Sequence, residues 1–559
     1  MNANIFGANL RQLRRQSHLT QRQLGHRLGV SDKAISRWEG GDTAPDLDTL
    51  QLIAAVFGVS TDRLLGIKPL PLMPVLPVPP APAWHAPTPA GRSGSQVTTA
   101  ASQAMLAELL QMKNEYGSQD WDALTAETLF GDTNYFHFLP RDQRGEILFT
   151  LGVGWNAPFW AKADSNQLAE IDPDPEKFGA LGDTPLQRLR GLVERTREYG
   201  YSGLGLELWM HSHTTSNNAQ RPLWEERARR CQQAGVALLK ITYTVEWDES
   251  FSQMITEVMS RCAPDVELEL STPWQRYLSR ADSQAIADRR RQYSRLLPVS
   301  DAVMVTDAFE PFATVSALRN ADLALSCGAT PQNGRRGLLN FGNQVYAGAV
   351  LGGTLTVSRP GWESEAALGW QRLSPPFGVH TATYHRSAEE LMDSHRFYRN
   401  VERPQLEGHT LRHTAPAVMS RGCPLPTVTV REGITPYVAA SRNPLTDAYA
   451  LGSFRRNVHP NTGLWGLADV TLSVDSTTVP VGLFGLFASV TLVYPHPLSE
   501  EIRITVQDPA GHLAPLDVTR EVTRQGNTLH LDGNRLGYWG KRARTQDSDD
   551  DPSLILRIE

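Results

Sequence analysis

Apolar positions along the chain change their period twice, and each change marks a new kind of structure. Up to about residue 68 they recur at helical spacing. Leu24 and Leu28 in QRQLGHRLG lie four apart and share one face. Thr20 stands before them with Gln23 three residues on, a capping-box spacing. Gly29 ends that helix where a left-handed residue is easily held, and Val30 plugs the turn. Ser31 then caps a second helix, DKAISRWEG, with Ala34, Ile35 and Trp38 facing inward. Ile5, Leu10 and Leu13 form the inner stripe of the preceding helix, and Leu47, Leu50, Ile53, Ala54 and Phe57 that of the following one.

From about 100 to 415 short apolar runs alternate with helical stretches. EILFTLGVGW, SGLGLELWM, VALLKITYT, VELELS, DAVMVTDAF, ADLALSC and GGTLTVS read as strands, with PLQRLRGLVERTREYG and LWEERARRCQQAG among the helices between them. With a weak earlier strand near NYFHFL, this rhythm predicts an eight-stranded α/β barrel, (β/α)8. An open doubly wound sheet is the alternative. The absence of a P-loop, and of a G-x-G-x-x-G after a strand, weighs against nucleotide-binding sheets. Beyond about 425, runs such as TVTVRE, PYVAASR, ADVTLSVDS, FASVTLVYP, NTLHLDG and SLILRIE predict a C-terminal antiparallel β-sandwich. The chain is thus expected to be multidomain. It would have an all-α head (1–68), a Pro-rich linker (69–95), an α/β barrel (96–424) and a β-sandwich (425–559).

Composition sharpens this picture at three points. Residues 1–68 hold nine Lys or Arg and six Asp or Glu, a net of +3 against −6 for the whole chain, which suits contact with phosphates. Nine prolines between 69 and 95 favour extended polyproline geometry, suited to a spacer or, alternatively, to a ligand for an SH3-type domain. Cys231, Cys262, Cys327 and Cys423 are scattered, which gives neither a zinc pattern nor a disulfide framework, and reduced cytoplasmic thiols are the simplest reading. No apolar run of transmembrane length and no signal-peptide core is visible. The acidic loop TQDSDDDP reads as solvated. No cofactor and no metal site are expected.

Two short helices joined by a tight turn form a shape that enters a DNA major groove, where the N-terminal side chains of the second helix meet base edges. LTQRQLGHRLGVSDKAISRWEGG, with the phrase P-x-L-x-T-L-x-x-I-A-x-x-F-G-V from Pro45 to Val59, closely resembles the lambda-repressor/Cro-like (XRE) helix-turn-helix family. The resemblance implies that Gln21 meets the DNA backbone or a base. It makes Ser31, Asp32, Lys33, Ser36 and Arg37 candidate groove contacts. Double-stranded DNA is then the expected partner and a homodimer the expected assembly, in the cytoplasm at the nucleoid. A helical bundle that binds protein is the bland alternative.

GVGWNAPFW, IDPDPEKFG, YSGLGLELW, GVALLKITYTVEWD, VSDAVMVTDAF, LNFGNQVYAGAVLGGTLTVSRPGW and TAPAVMSRGCPLP resemble the α-galactosidase-like, melibiase-type barrel clan over residues 120 to 460. That resemblance implies a nucleophilic Asp in a Lys-x-Asp phrase ending a strand, but the matching phrase here is Lys240-Ile241-Thr242. The acid/base position matches Asp307, and Met304 stands where an Arg is expected. The sugar-gripping Asp-Asp-Gly-Trp reads Gly152-Val153-Gly154-Trp155. A hydroxyl without a strong base replaces a nucleophilic carboxylate poorly, so hydrolysis is expected to be lost while the barrel persists.

If activity survives, Asp307, Glu246 and Asp248 are the catalytic candidates. Trp155, Glu207, Trp209, Lys240, Thr242, Glu269 and Asp307 are the ligand-binding candidates, and Glu207 and Glu269 would form a salt-bridged interior if they bind no ligand. Trp160 would extend a stacking platform formed with Trp155 and Trp209, and His211 and His213 have metal-like spacing but no third partner. The sequence therefore points to a DNA-binding regulator whose catalytically eroded glycosidase-like body senses a carbohydrate. The alternatives are an active intracellular α-glycosidase with a DNA-binding head and a body that serves as a scaffold for another protein.

Overall fold

The computed structural model describes residues 3–16, 19–28, 30–45, 49–50, 53, 65, 95–98, 124–131, 136, 139, 141–152, 154–156, 171–210, 217–243, 249–271, 283–305, 313–357, 361–387, 389–395, 410–431, 435–454, 466–543 and 551–559. The chain divides into two compact units, Met1–Ala83 and Trp84–Glu559.

The first unit holds α1 (Ala3–Gln16), α2 (Gln21–Leu28) and α3 (Asp32–Gly40). Phe6, Leu10, Leu24, Leu28, Ile35, Trp38, Leu50 and Ile53 form its buried core. Phe6 belongs to this core although the sequence pattern pointed to Ile5, whose side chain lies outside the described residues. Leu13 and Val30 pack at the core's margin. The capping box is reciprocal: the Thr20 N–H donates to Gln23 Oε1 at 2.8 Å and the Gln23 N–H to Thr20 Oγ1 at 3.2 Å. Ser31 caps α3 by accepting from the Ala34 N–H at 3.2 Å. A methyl group on Gly25 would sit 2.7 Å from the Val30 carbonyl, so only glycine lets the turn fold back onto α2. Gly29 lies outside the described residues.

The second unit contains eight parallel strands: β1 (Ser95–Thr98), β2 (Ile147–Leu151), β3 (Gly203–Met210), β4 (Leu238–Tyr243), β5 (Glu267–Ser271), β6 (Ala302–Met304), β7 (Leu338–Asn340) and β8 (Thr356–Val357). Their order is β7-β6-β5-β4-β3-β2-β1-β8. A bridge between Asn340 and Thr354 brings the two ends together, with the Thr354 N–H donating to the Leu339 carbonyl at 2.7 Å. This is a nearly closed barrel. The outer layer comprises α4 (Ala126–Phe130), α5 (Pro175–Phe178), α6 (Pro185–Glu198), α7 (Asn217–Ala234), α8 (Glu249–Cys262), α9 (Ser283–Leu296), α10 (Ala313–Leu325), α11 (Val345–Leu351) and α12 (Trp362–Gln371). One face of strands β2 to β8 feeds a single apolar cluster with these helices, including Phe149, Leu206, Ile241, Leu268, Val303, Leu339 and Val357.

Two strand assignments read from sequence are corrected. ADLALSC belongs mostly to α10: its apolar run resembles a strand, but Ala321, Leu323 and Ala324 are the buried end of a helix. The seventh strand is instead Leu338–Asn340, too short to show a period. Near NYFHFL, the described Phe136 and Leu139 lie in no strand, and the first strand is Ser95–Thr98, at the end of the expected linker. It escaped notice because Gln96 spends its polarity inside the barrel.

The remaining strands are β9 (Tyr384–Arg386), the hairpin β10 (Glu389–His395) and β11 (Thr410–Pro416), β12 (Val418–Arg421), β13 (Thr427–Val430), β14 (Tyr437–Arg442), β15 (Tyr449–Phe454), β16 (Ala468–Ser473), β17 (Val481–Gly485), β18 (Ser489–Val493), β19 (Ile504–Gln507), β20 (Leu516–Asp517), β21 (Thr523–Gln525), β22 (Thr528–Asp532) and β23 (Ser553–Ile558). An eight-stranded sheet, β20-β19-β23-β17-β15-β14-β12-β9, faces a five-stranded one, β13-β16-β18-β22-β21. Val438, Leu451 and Leu483 of the first meet Val470, Val490 and Leu531 of the second in a sandwich core. The sheets are mixed rather than purely antiparallel, since β12–β14, β15–β17 and β16–β18 pair in parallel. β17 was invisible to a period-two search because all five of its residues are buried.

The barrel and the sandwich share a wall. Every residue of α11 is buried, and this helix packs with Ala439, Ala450 and Phe484 of the larger sheet in the same cluster as the barrel's outer face. An apolar helix with no polar side has to be covered all round. Gly348 lets α11 lie close on the barrel side: a methyl group there would meet Leu355 and lie 3.0 Å from Phe341 Cβ. Gly348→Leu should therefore destabilise the whole unit by about 1–3 kcal/mol through overpacking. Urea unfolding read at the barrel and at the sandwich should show both moving together.

Candidate nucleic-acid interface and barrel interior

In the head, one buried carboxylate organises the helices. Glu39, near the end of α3, is 4 % exposed. Arg14 of α1 grips it twice, from Nε at 2.5 Å and from NH2 at 2.9 Å, and Arg11 donates to the Glu39 carbonyl at 2.7 Å. Gln21, the first residue of α2, donates from Nε2 to Glu39 Oε2 at 2.9 Å. All three helices thus meet at a single side chain. Burial by itself would raise the Glu39 pKa; hydrogen bonds from Arg14 and Gln21 and the charges of Arg14 and Arg11 outweigh it, and the pKa lies below the usual carboxylate value. Sequence reasoning placed Gln21 at DNA. In the structure it also fixes the start of α2 against the end of α3.

Ser31, Asp32, Lys33, Ser36 and Arg37 are all exposed, while Ile35 and Trp38 on the opposite face are buried. The N-terminal turn and outer face of α3 therefore carry polar side chains able to reach base edges and phosphates. The Asp32 carboxylate accepts from the Lys33 N–H at 2.9 Å, which steadies the first turn.

Inside the barrel, register places Glu207 of β3 beside Lys240 of β4 and Lys240 beside Glu269 of β5. The Lys240 ammonium lies 3.5 Å from Glu269 and 4.0 Å from Glu207, with all three residues buried. Glu269 also accepts from Gln96 at 2.6 Å and from Asn340 at 2.9 and 3.0 Å. Thr150 donates to Gln96 at 2.9 Å, Asn340 to Thr356 at 2.7 Å, and Thr242 to Glu207 at 2.9 Å. Gln96, Thr150, Asn340 and Thr356 went unnoticed in the sequence. Their signal was a polar residue at the inward register of a very short strand.

This arrangement limits the chemistry. Burial would drive Lys240 toward its neutral form, but Glu207 and Glu269 reverse the effect and raise its pKa. The lysine is therefore held as an ammonium and offers no free amine to a carbonyl. Thr242, where the resembled enzymes carry the nucleophile, is 2 % exposed and its hydroxyl is engaged by Glu207. Trp155 is fully buried and its indole N–H donates to the Glu207 carbonyl at 2.9 Å, so no ring face is open for stacking. The side chain of Trp209 lies outside the described residues, as do Asp307, Glu246, Asp248, Trp160, His211 and His213. Among the described residues no group of three His, Cys, Asp or Glu side chains could hold a metal, and no helix is long and apolar enough to cross a membrane.

Comparison with known proteins places the head. Residues 10–64 match the helix-turn-helix family HTH_3. An HTH-type transcriptional activator, BcrR of Enterococcus faecalis, is 45 % identical over 60 residues, which is 11 % of this chain and 29 % of that protein. The uncharacterized HTH-type transcriptional regulator YobD of Bacillus subtilis (strain 168) is 36 % identical over 63 residues, 11 % of this chain and 56 % of its own length. The P22 c2 repressor, solved with a synthetic operator, is 34 % identical over 11 % of this chain and 89 % of its own, with a TM-score of 0.10. The N-terminal unit is a helix-turn-helix domain of the XRE/Cro-like type. The chain spans about a third to a half of the length of the two curated relatives, and none of these three matches reaches the barrel or the sandwich.

Two consequences can be measured. Arg14→Ala leaves Glu39 buried with fewer donors and should destabilise the head by about 3 kcal/mol. Hydrogen exchange of α1–α3 in the full-length protein would report it. Because the folded pKa of Glu39 is depressed, its contribution is complete above the ordinary value of 4.5 and fades as pH falls through the lower folded value. Thr242→Asp sets a third carboxylate beside Glu207 in a dry interior and should lower Tm without creating hydrolysis of aryl α-galactosides. A variant that melts at or above the parent temperature would mean that water reaches this corner.

Proposed function

We propose that the chain is a sequence-specific, DNA-binding transcriptional regulator. The observation that carries this reading is the exposed row Ser31, Asp32, Lys33, Ser36 and Arg37 on a capped helix whose other face is core, within a domain of the helix-turn-helix family. The net +3 charge of residues 1–68 supports it through phosphate attraction. Gln21 and Arg37 would set position on the backbone, and Ser31, Lys33 and Ser36 would read bases. The protein would act as a homodimer, because one small head supplies few contacts and a second one doubles them. Its place of action would be the cytoplasm, at the nucleoid.

The body would sense a small ligand, a carbohydrate or a related molecule, at the strand C-termini. The engaged Thr242 hydroxyl and the protonated, ion-paired Lys240 support a body that binds rather than cleaves. Ligand and operator would be coupled by a differential affinity of about 1–3 kcal/mol between two states.

The test is operator selection from random duplexes, followed by titration of Arg37→Ala. The expected outcome is weaker binding, with the salt slope reduced by about one if Arg37 meets phosphate. Binding and salt slope both unchanged would reject this placement of α3.

A further inference from the structure

One charge on the outer face of α3 has the wrong sign for a surface that meets DNA. Exposed side chains there fall into two columns with members four residues apart: Lys33 with Arg37, and Asp32 with Ser36. The first column is cationic and suits phosphates or the acceptor-rich edge of guanine. The second begins with a carboxylate. Asp32 is exposed, its Oδ1 accepts from the Lys33 N–H at 2.9 Å, and it makes no ion pair among the described residues.

A phosphate is disfavoured at this end of α3. A helix start ordinarily offers backbone N–H groups to an anion. Here the Ser31 hydroxyl takes the Ala34 N–H at 3.2 Å and Asp32 takes that of Lys33, so these donors are spent and a negative charge is already in place. An exposed carboxylate brought to DNA loses water and is repelled by the phosphates. It is tolerated in the interface only where a donor answers it. In the major groove the donors are amino groups, on cytosine N4 and on adenine N6. Adenine sets the N7 acceptor beside its amino group, guanine shows two acceptors, and thymine shows an acceptor and a methyl group. Cytosine is the one base whose edge offers a donor and no acceptor.

We infer, resting on the DNA-binding reading above, that Asp32 makes the operator require a cytosine at one position of each half-site. Its Oδ2 would accept from the cytosine N4 amino group while Oδ1 keeps the Lys33 N–H. The same charge lowers affinity for DNA that lacks this base. Asp32 is thus a filter that discriminates chiefly by penalising wrong sites.

The experiment selects operators from random duplexes with the full-length protein and with its Asp32→Ala and Asp32→Asn variants. It then measures Kd for the selected operator and for a scrambled duplex at one fixed salt concentration. In the parent, one position per half-site should be cytosine, with any other base there binding about tenfold more weakly. Asp32→Ala should erase the preference at that position alone and bind the scrambled duplex more tightly than the parent does. Asp32→Asn, which keeps an acceptor for the Lys33 N–H, should change the preferred base to adenine, whose N6 and N7 match an amide. A carboxylate that only steadies the helix start would give the opposite sign: Asp32→Ala would weaken binding to both duplexes alike. The inference falls with that result, with a parent that selects no cytosine sensitive to Asp32, or with variants that keep the parent's preference. In each of these cases the parent still enriches a defined operator and the regulator reading stands. A parent that enriches no duplex overturns both.

Discussion

Within the body, the arrangement rests on an ammonium held between two carboxylates. Eight strands enclose an interior that side chains must fill, and in the layer at Lys240 this protein fills it with charge. Taking charges out of water is costly, and a set of apolar residues of equal volume would often hold a fold as well. What the polar solution adds is register. Glu269 on β5 is reached at once by Gln96 from β1 and Asn340 from β7. A one-residue slip in any of these strands would turn its polar member toward the helices and leave a buried charge without partners. The centre thus selects one pairing of strands that are remote in sequence.

The head follows the same logic on a smaller scale. Glu39 gathers Arg14, Arg11 and Gln21, so α1, α2 and α3 are fixed relative to one another by a carboxylate that has itself left water. Recognition by a helix in a groove tolerates little wobble, since base contacts depend on distances of a few tenths of an ångström. A small core, with eight buried apolar residues among the described ones, gains orientational precision from this clasp. The result is a rigid α3 whose solvent face is left entirely to polar side chains.

Much of this was legible in the sequence where a period is long or a cap is explicit. Thr20, Gln23 and Ser31 announced their helices, and β3, β4 and β5 announced the barrel by their leucines. The legible part of the interior was Glu207, Lys240 and Glu269, because charge between leucines stands out. β1 and β7 did not show themselves, because strands of four and three residues carry no measurable alternation and their informative side chains are Gln96 and Asn340. α10 was misread in part because a helix end buried on all sides is locally indistinguishable from a buried strand.

The shared wall has a consequence for inheritance. With all seven residues of α11 hidden between barrel and sandwich, neither half can be transplanted without exposing a greasy scar on the other. The helix-turn-helix head belongs to the other compact unit and has a core of its own. The barrel and the sandwich, by contrast, must be acquired, lost and diversified together, as one heritable block.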